Sequence, residues 1–207
     1  MWDDIGGDTG HLVDRLVAFA RRRGWTAEML QPIAEEGWRG AAKTAPSVMG
    51  PGPGHLPLWG KGALTCTSEY GVEPHTAALA LLGMTGEVEQ RLWRGQAPLL
   101  LPLLDSLRLG ICRRFSRRYG PRWPVSWQLP PSPWEAAEVR ENPLACQWAH
   151  LEYLVKNCPA FEKERRSLPF IGLARSIRNR LAHFRPVEFG SYAALCRQMD
   201  KVGDVLG

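Results

Sequence analysis

Residues 168–187 read LPFIGLARSIRNRLAHFRPV, and the fold prediction starts from this stretch. With 100° between successive residues of a helix, its apolar side chains fall within a sector about 100° wide. Pro186 ends any helix soon after His183, because proline has no N–H to donate and its ring clashes with the preceding turn. The stretch therefore predicts a helix that ends near His183 and packs one face into a core. That face consists of Phe170, Leu173, Ala174, Ile177 and Leu181.

Helical spacing of apolar residues recurs through most of the chain. Residues 11–36 predict two helices, the first ended by Gly24 and the second capped by Thr26. Another begins after Asn142, which can cap it, with Pro143 in its first turn. The remaining helices are predicted in residues 74–96 (one helix, or two separated near Gly83–Gly86), 99–120 and 191–206. No strand-like alternation stands out, so the predicted fold class is all-α, a helical bundle with an N-terminal helical extension.

Two segments rich in proline interrupt the helical pattern. Residues 40–72 contain Pro46, Pro51, Pro53 and Pro57 among many glycines, which prevent any long regular element. Residues 121–134 contain five prolines and three tryptophans, and predict an irregular connection anchored by its aromatic rings. The predicted organisation is an N-terminal extension in residues 1–39, a linker in 40–72 and a helical bundle in 73–207.

Composition and charge restrict the function classes. The apolar fraction of 44% is too high for a disordered protein, and the net charge of +5 favours polyanionic partners such as RNA. The five cysteines show no C-x-x-C pair, which indicates reduced thiols rather than a disulfide framework or a zinc site. We see no signal peptide and no apolar stretch that could span a bilayer. The expectation is a cytoplasmic protein with no membrane association, no metal and no cofactor.

Arg178, Asn179 and His183 form the most compact polar set in the sequence. Asn179 and His183 lie four residues apart and share the solvent side of the helix, while Arg178 reaches in from the flank. An imidazole can transfer a proton near neutral pH, and a guanidinium can stabilise charge on phosphoryl oxygens. This set suits cleavage of a phosphodiester without a metal. Because cleavage usually needs both an acid and a base, two copies across a two-fold axis are expected to complete the site, which predicts a homodimer.

The residues RNRLAH at positions 178–183 resemble the signature of HEPN domains, which are helical bundles carrying Arg, a polar residue and then His. The resemblance covers residues 73–205. It implies a metal-independent endoribonuclease that acts as a dimer in a bacterial defence or toxin system, with Arg178, Asn179 and His183 as the catalytic set. Glu152, on the preceding helix, is the candidate for a supporting acidic residue. Other HEPN proteins keep the fold and bind RNA, nucleotides or protein without cutting.

A second group of arginines is a candidate RNA-binding surface. Residues 113–122, RRFSRRYGPR, can follow a phosphate backbone, and Tyr119 and Trp123 could stack on bases. The alternative is a basic helix end whose aromatic residues belong to the core. The candidate RNA-binding residues are Arg113, Arg114, Arg117, Arg118, Arg180 and Arg185.

Two alternatives to the ribonuclease remain open. The chain could be a non-catalytic interaction protein that dimerises or docks a protein partner, through its N-terminal helices or its Trp-rich segment. Residues 16–33 of those helices resemble part of bacterial effector-associated adaptor modules, which pair with like domains. The chain could also be a passive RNA-binding module that uses residues 113–122.

Overall fold

The computed structural model describes residues 9–35, 56–67, 71–123 and 133–206. Helices make up most of these residues, and one small antiparallel hairpin accompanies them, so the all-α fold class is confirmed. In this described part of the chain, no helix combines the length and the apolar character needed to cross a membrane. The helices are α1 (Thr9–Arg22), α2 (Ala27–Glu35), α3 (Leu56–Gly60), α4 (Thr76–Leu81), α5 (Thr85–Tyr119), α6 (Pro133–Glu141), α7 (Trp148–Asn157), α8 (Leu168–Ala182) and α9 (Phe189–Leu206).

The chain forms two compact units, Met1–Leu92 and Trp93–Gly207, and the boundary between them falls inside α5. The predicted linker contributes α3 and strand β1 (Leu64–Thr67) to the first unit, and β1 pairs with strand β2 (Gly71–Pro74). In the described part of that linker, a helix of five residues and strands of four fit among the prolines and glycines. Residues 40–55 and 68–70 of the linker lie outside the described residues.

The first unit is built around Trp25, which is buried between α1 and α2. Its indole Nε1 donates a hydrogen bond to the Lys61 carbonyl at 3.1 Å. The predicted helix signals are confirmed: α1 stops before Gly24, whose φ is +72°, and Thr26 Oγ1 accepts from Met29 N at 3.2 Å. His75 caps α4 by accepting from Ala77 N at 3.0 Å, and its ring stacks on Phe19. Burial, followed by the charges of Arg91 and Arg23, lowers the pKa of His75 from its ordinary value.

The second unit has its core between α5, α7 and α8. The predicted stripe of α8 is confirmed, with Phe170, Ala174, Ile177 and Leu181 buried and Leu173 partly buried. One predicted cap is corrected. Asn142 caps a short 3₁₀ segment, Pro143–Ala145, whereas α7 begins after Gln147. A second 3₁₀ segment, Pro159–Ser167, leads into α8.

Helix α5 is longer than the sequence suggests. Separate helices are predicted in residues 74–96 and 99–120, with Pro98 near the start of the second and Pro102 inside it, yet α5 runs unbroken for 35 residues. Both prolines lie exposed on its surface. The helix can therefore tolerate them, because backbone carbonyls that lose an N–H partner on that side can bind water.

Candidate functional site

The end of α8 forms a turn that fixes the position of His183. His183 is the C-cap residue, and Phe184 follows it in the left-handed region with φ +57°. Arg185 N donates to the Arg180 carbonyl at 2.9 Å, and Phe184 N donates to the Leu181 carbonyl at 3.2 Å. This pair of hydrogen bonds is the Schellman motif, in which the left-handed position is usually occupied by glycine. The predicted end of the helix close to His183 is confirmed.

Side chains of α5 hold this turn from the other side. Trp93 Nε1 donates to the Leu181 carbonyl at 2.7 Å. The buried amide of Gln96 bonds to Val187 in both directions, donating to its carbonyl at 2.9 Å and accepting from its N–H at 2.6 Å. The two bonds from Gln96 satisfy backbone groups of Val187 beyond the helix end, and the bond from Trp93 gives the Leu181 carbonyl a second donor beside Phe184 N. The turn of residues 183–188 is therefore held by α5 as well as by its own hydrogen bonds.

His183 is exposed on this turn, beside an open depression of about 590 Å³. The depression is lined by Ser176, Asn179, Arg180, His183 and Arg185. Asn179 and His183 thus share one surface, as their spacing predicts. Arg180 is engaged locally, because its Nε donates to the Pro186 carbonyl at 3.0 Å and its guanidinium lies 3.2 Å from Glu188. Arg185 is exposed at the rim.

Arg178 lies at a second and larger depression of about 800 Å³, which Asn179 also lines. Its guanidinium is exposed, and Nη1 lies 3.4 Å from Asn179 Oδ1. Asn179 is therefore common to the surface that carries His183 and the surface that carries Arg178. The structure joins the three motif residues through Asn179 and does not place Arg178 and His183 at the same depression.

Glu152 also lines the larger depression, so the structure brings this candidate near Arg178. Its carboxylate is paired with Arg175, with Oε2 2.8 Å from Nη1. Sequence reasoning missed Arg175 and also Lys156, a further cation at the depression. Arg175 could have been found, because it precedes Arg178 by three residues and such residues are neighbours on a helix surface.

The basic end of α5 is divided between core and surface. Arg114 and Arg118 both bind Glu164, at 2.6 and 2.9 Å, and the Glu164 side chain is only 1% exposed. Tyr119 donates to the same carboxylate at 3.0 Å. Burial and this hydrogen bond to Glu164 raise the pKa of Tyr119. Two of the four predicted RNA-binding arginines of α5, Arg114 and Arg118, therefore compensate a buried charge, and Arg118 keeps 39% of its side chain exposed.

The aromatic residues at this end of α5 belong to the core. Trp123 is buried and packs edge-on against Phe115, while the ring of Tyr119 packs against Phe161. Tyr119 and Trp123 therefore match the alternative prediction, that the aromatic residues here belong to the core, and they do not form a surface on which bases could stack. Arg113 and Arg117 remain exposed, beside a depression of about 720 Å³.

His150 is a packing residue beside Trp148. It is buried in α7, and its Nδ1 accepts from Gln147 N at 3.1 Å. Across the described ranges, no three side chains of His, Cys, Asp or Glu gather as they would around a metal ion.

Comparison of the chain with protein-family models, with curated proteins and with solved structures finds no match. The function is therefore inferred from the residues of the site and their geometry.

Proposed function

We propose that the chain is a metal-independent endoribonuclease of the HEPN type, acting as a homodimer in a bacterial defence or toxin system. One observation carries the proposal: an exposed imidazole lies at the end of α8, on a turn whose backbone is held by α5 and on a surface shared with Asn179 and two arginines. Proton transfer and phosphate binding both require groups that are held in place.

The reaction follows from the chemistry of these groups. An imidazole removes the proton of a ribose 2′-hydroxyl, and the 2′-oxygen attacks the adjacent phosphorus. The bond from phosphorus to the 5′-oxygen breaks, and the leaving oxygen takes a proton from the His183 imidazole of the second copy. The products are a 2′,3′-cyclic phosphate and a 5′-hydroxyl, with no water, metal or cofactor consumed. Arg178, which lies at the neighbouring depression and contacts Asn179, stabilises charge on the non-bridging oxygens, and Asn179 orients either partner.

The homodimer in this proposal needs an apolar contact surface. Leu99 and Leu103 lie one turn apart on α5 and are 69% and 36% exposed. Exposed leucines in neighbouring positions are suited to a contact between copies. Replacing Leu99 with Glu is expected to shift the protein toward monomer in sedimentation experiments and to lower cleavage in parallel. Cleavage that is unchanged in a monomeric variant would contradict the two-copy site.

The decisive experiment measures RNA cleavage by the purified chain in the presence of EDTA. We expect cleavage with 2′,3′-cyclic phosphate ends, and loss of activity by at least about a hundredfold in His183→Ala, the scale expected for a positioned acid or base. His11→Ala changes an exposed histidine in the first unit and serves as the control. Equal cleavage by His183→Ala, or cleavage only with an added divalent metal, would contradict the proposal.

A non-catalytic interaction protein is the second candidate, and α3 favours it. Leu56 and Trp59 are 57% and 37% exposed in the first unit, where a protein partner could bind. This candidate predicts that the wild-type chain does not cut RNA, and that Trp59→Ala weakens partner binding while His183→Ala does not.

A further inference from the structure

Phe184 combines two features that its structural surroundings do not require. Its side chain is 72% exposed, the highest exposure among the large apolar residues of the described chain. Its backbone φ is +57°, and among the described non-glycine residues only Phe184 has a positive φ. A bulky side chain is unfavourable there, and glycine would complete the same Schellman motif without strain. Neither burial nor the turn explains a phenylalanine at this position.

The ring of Phe184 packs against the indole ring of Trp93 on α5. Its centroid lies 4.9 Å from that of Trp93, with the two planes tilted by 57°. The hydrogen bond from Trp93 Nε1 to the Leu181 carbonyl holds the indole against the end of α8. The contact with Trp93 fixes the orientation of the phenylalanine ring while most of its surface remains open to solvent. Such a ring is a preformed flat surface, and a flat partner can stack on it with little loss of conformational freedom.

The location of the ring indicates what stacks on it. Phe184 directly follows His183, and Arg185 follows Phe184 at the rim of the same depression. Phe184 does not itself line the depression, but it lies between His183 and Arg185 in the chain, and we expect a nucleoside next to a phosphate bound by these two residues to reach its ring. Bases stack on exposed aromatic side chains with little regard to sequence, because every base has a π-face.

We infer that Phe184 stacks on an unpaired base of the RNA, next to the scissile phosphate. Bases within an RNA duplex are stacked on one another and cannot be offered to a side chain in this way. This inference rests on the proposed function, because it takes the His183 surface as the place of cleavage. The strained backbone of residue 184 then serves substrate recognition, which is consistent with the general occurrence of backbone strain at functional sites.

Binding and stability should respond in opposite directions to Phe184→Gly. In the His183→Ala background, which binds without cutting, Phe184→Gly should bind a mixed-sequence single-stranded RNA about 5- to 150-fold more weakly, the range for one stacked base. Its unfolding midpoint in urea should be equal or higher, because glycine relieves the positive φ. Phe184→Tyr keeps the ring and is the matched control, with RNA affinity within about twofold of the parent. The duplex of the same sequence should bind more weakly than the single strand and lose little affinity in Phe184→Gly.

Each other result counts against the inference. Unchanged affinity in Phe184→Gly overturns the stacking contact while leaving the ribonuclease intact, provided that the wild-type chain still cuts RNA. A lower unfolding midpoint in Phe184→Gly assigns the ring a packing task instead. A shift of Phe184→Gly toward monomer places the ring at an interface between copies. If the parent chain neither binds nor cuts RNA, the proposed function fails, and the inference fails with it.

Discussion

The two arginine-rich helix ends of the second unit look alike in sequence but differ in how their charges are used. At the end of α5, Arg114 and Arg118 bind Glu164, whose side chain is almost completely buried. At the end of α8, Arg178 and Arg185 are exposed, and the depressions that they line also contain Asn179. Two arginines of the α5 cluster (Arg113, Arg114, Arg117 and Arg118) compensate a buried carboxylate. The α8 cluster (Arg178, Asn179, Arg180, His183 and Arg185) exposes its charge to solvent.

This difference shows what makes a basic cluster available to a polyanion. A buried carboxylate requires paired cations, because removing a charge from water is costly unless the charge is compensated. The α8 cluster lies over an apolar stripe with no buried acid among its lining residues. It contains a histidine, and hydrogen bonds to α5 hold its turn. The number of arginines in a segment therefore says less about function than the partner that each guanidinium has.

The largest predicted effect concerns the buried carboxylate of the α5 cluster. Glu164→Gln removes the charge that Arg114 and Arg118 compensate, and should lower the free energy of unfolding by about 3–5 kcal/mol. Urea unfolding followed by circular dichroism measures this change. Glu162→Gln, at an exposed position of the same 3₁₀ segment, should change it by less than about 0.5 kcal/mol. Equal unfolding midpoints for the two variants would show that the comparison between the clusters is mistaken.

The second prediction concerns Arg178 of the α8 cluster, whose replacement should lower activity but not stability. Arg178→Ala should reduce kcat/KM for RNA cleavage by about 10²–10³, the usual cost of removing one group that stabilises developing charge. Its unfolding free energy should stay within about 0.5 kcal/mol of wild type, because the guanidinium is exposed. Arg140→Ala, at an exposed position on α6, is the control and should leave cleavage unchanged. A large loss of stability in Arg178→Ala would mean that this arginine also serves the fold.

Local features of the fold could be predicted from the sequence because the physics behind them is local. The stripe of α8, the glycine that ends α1 and the Thr26 cap each depend on residues within a few positions of one another. The hairpin of β1 and β2 could not be predicted, since strands of four residues are too short to show a period. The division of the chain inside α5 could not be predicted either, because it depends on which helices pack together rather than on where a helix ends.

The candidate site shows the same limit. The spacing of Asn179 and His183 correctly places them on one surface, because both lie on one helix. The hydrogen bonds of Gln96 and Trp93 to the turn join residues that are 91 and 88 positions apart. A local sequence pattern cannot predict contacts over such distances. The pairing of Arg114 with Glu164 spans 50 residues and was missed for the same reason. Exposed charges can be inferred from periodicity, whereas their partners require the tertiary structure.

A third and smaller effect is expected from the contact that holds the α8 turn. Gln96→Met keeps the volume of the side chain but removes both hydrogen bonds to Val187, leaving buried backbone groups without this partner. The unfolding free energy should fall by about 1–3 kcal/mol. RNA cleavage should fall at temperatures where the variant is still fully folded, because the turn that carries His183 is less well held. Gln31→Met, on the exposed side of α2, is the control and should affect neither measurement. Full activity in the folded Gln96→Met variant would show that the turn needs no support from α5.

The smallest predicted effect separates the two kinds of arginine within the α5 cluster itself. Arg113 and Arg117 are exposed, so each can contact a phosphate of bound RNA, whereas Arg114 is engaged with Glu164. The dependence of log affinity on log salt concentration should become shallower by about 0.7 for each phosphate contact removed. Arg113→Ala and Arg117→Ala should therefore each reduce the salt slope with little change in stability, while Arg114→Ala should destabilise the unit and leave the slope of the folded protein unchanged. If neither Arg113→Ala nor Arg117→Ala changed the salt slope, the α5 cluster would make no phosphate contacts. RNA would then bind at the α8 cluster only, and the two helix ends would differ completely in function.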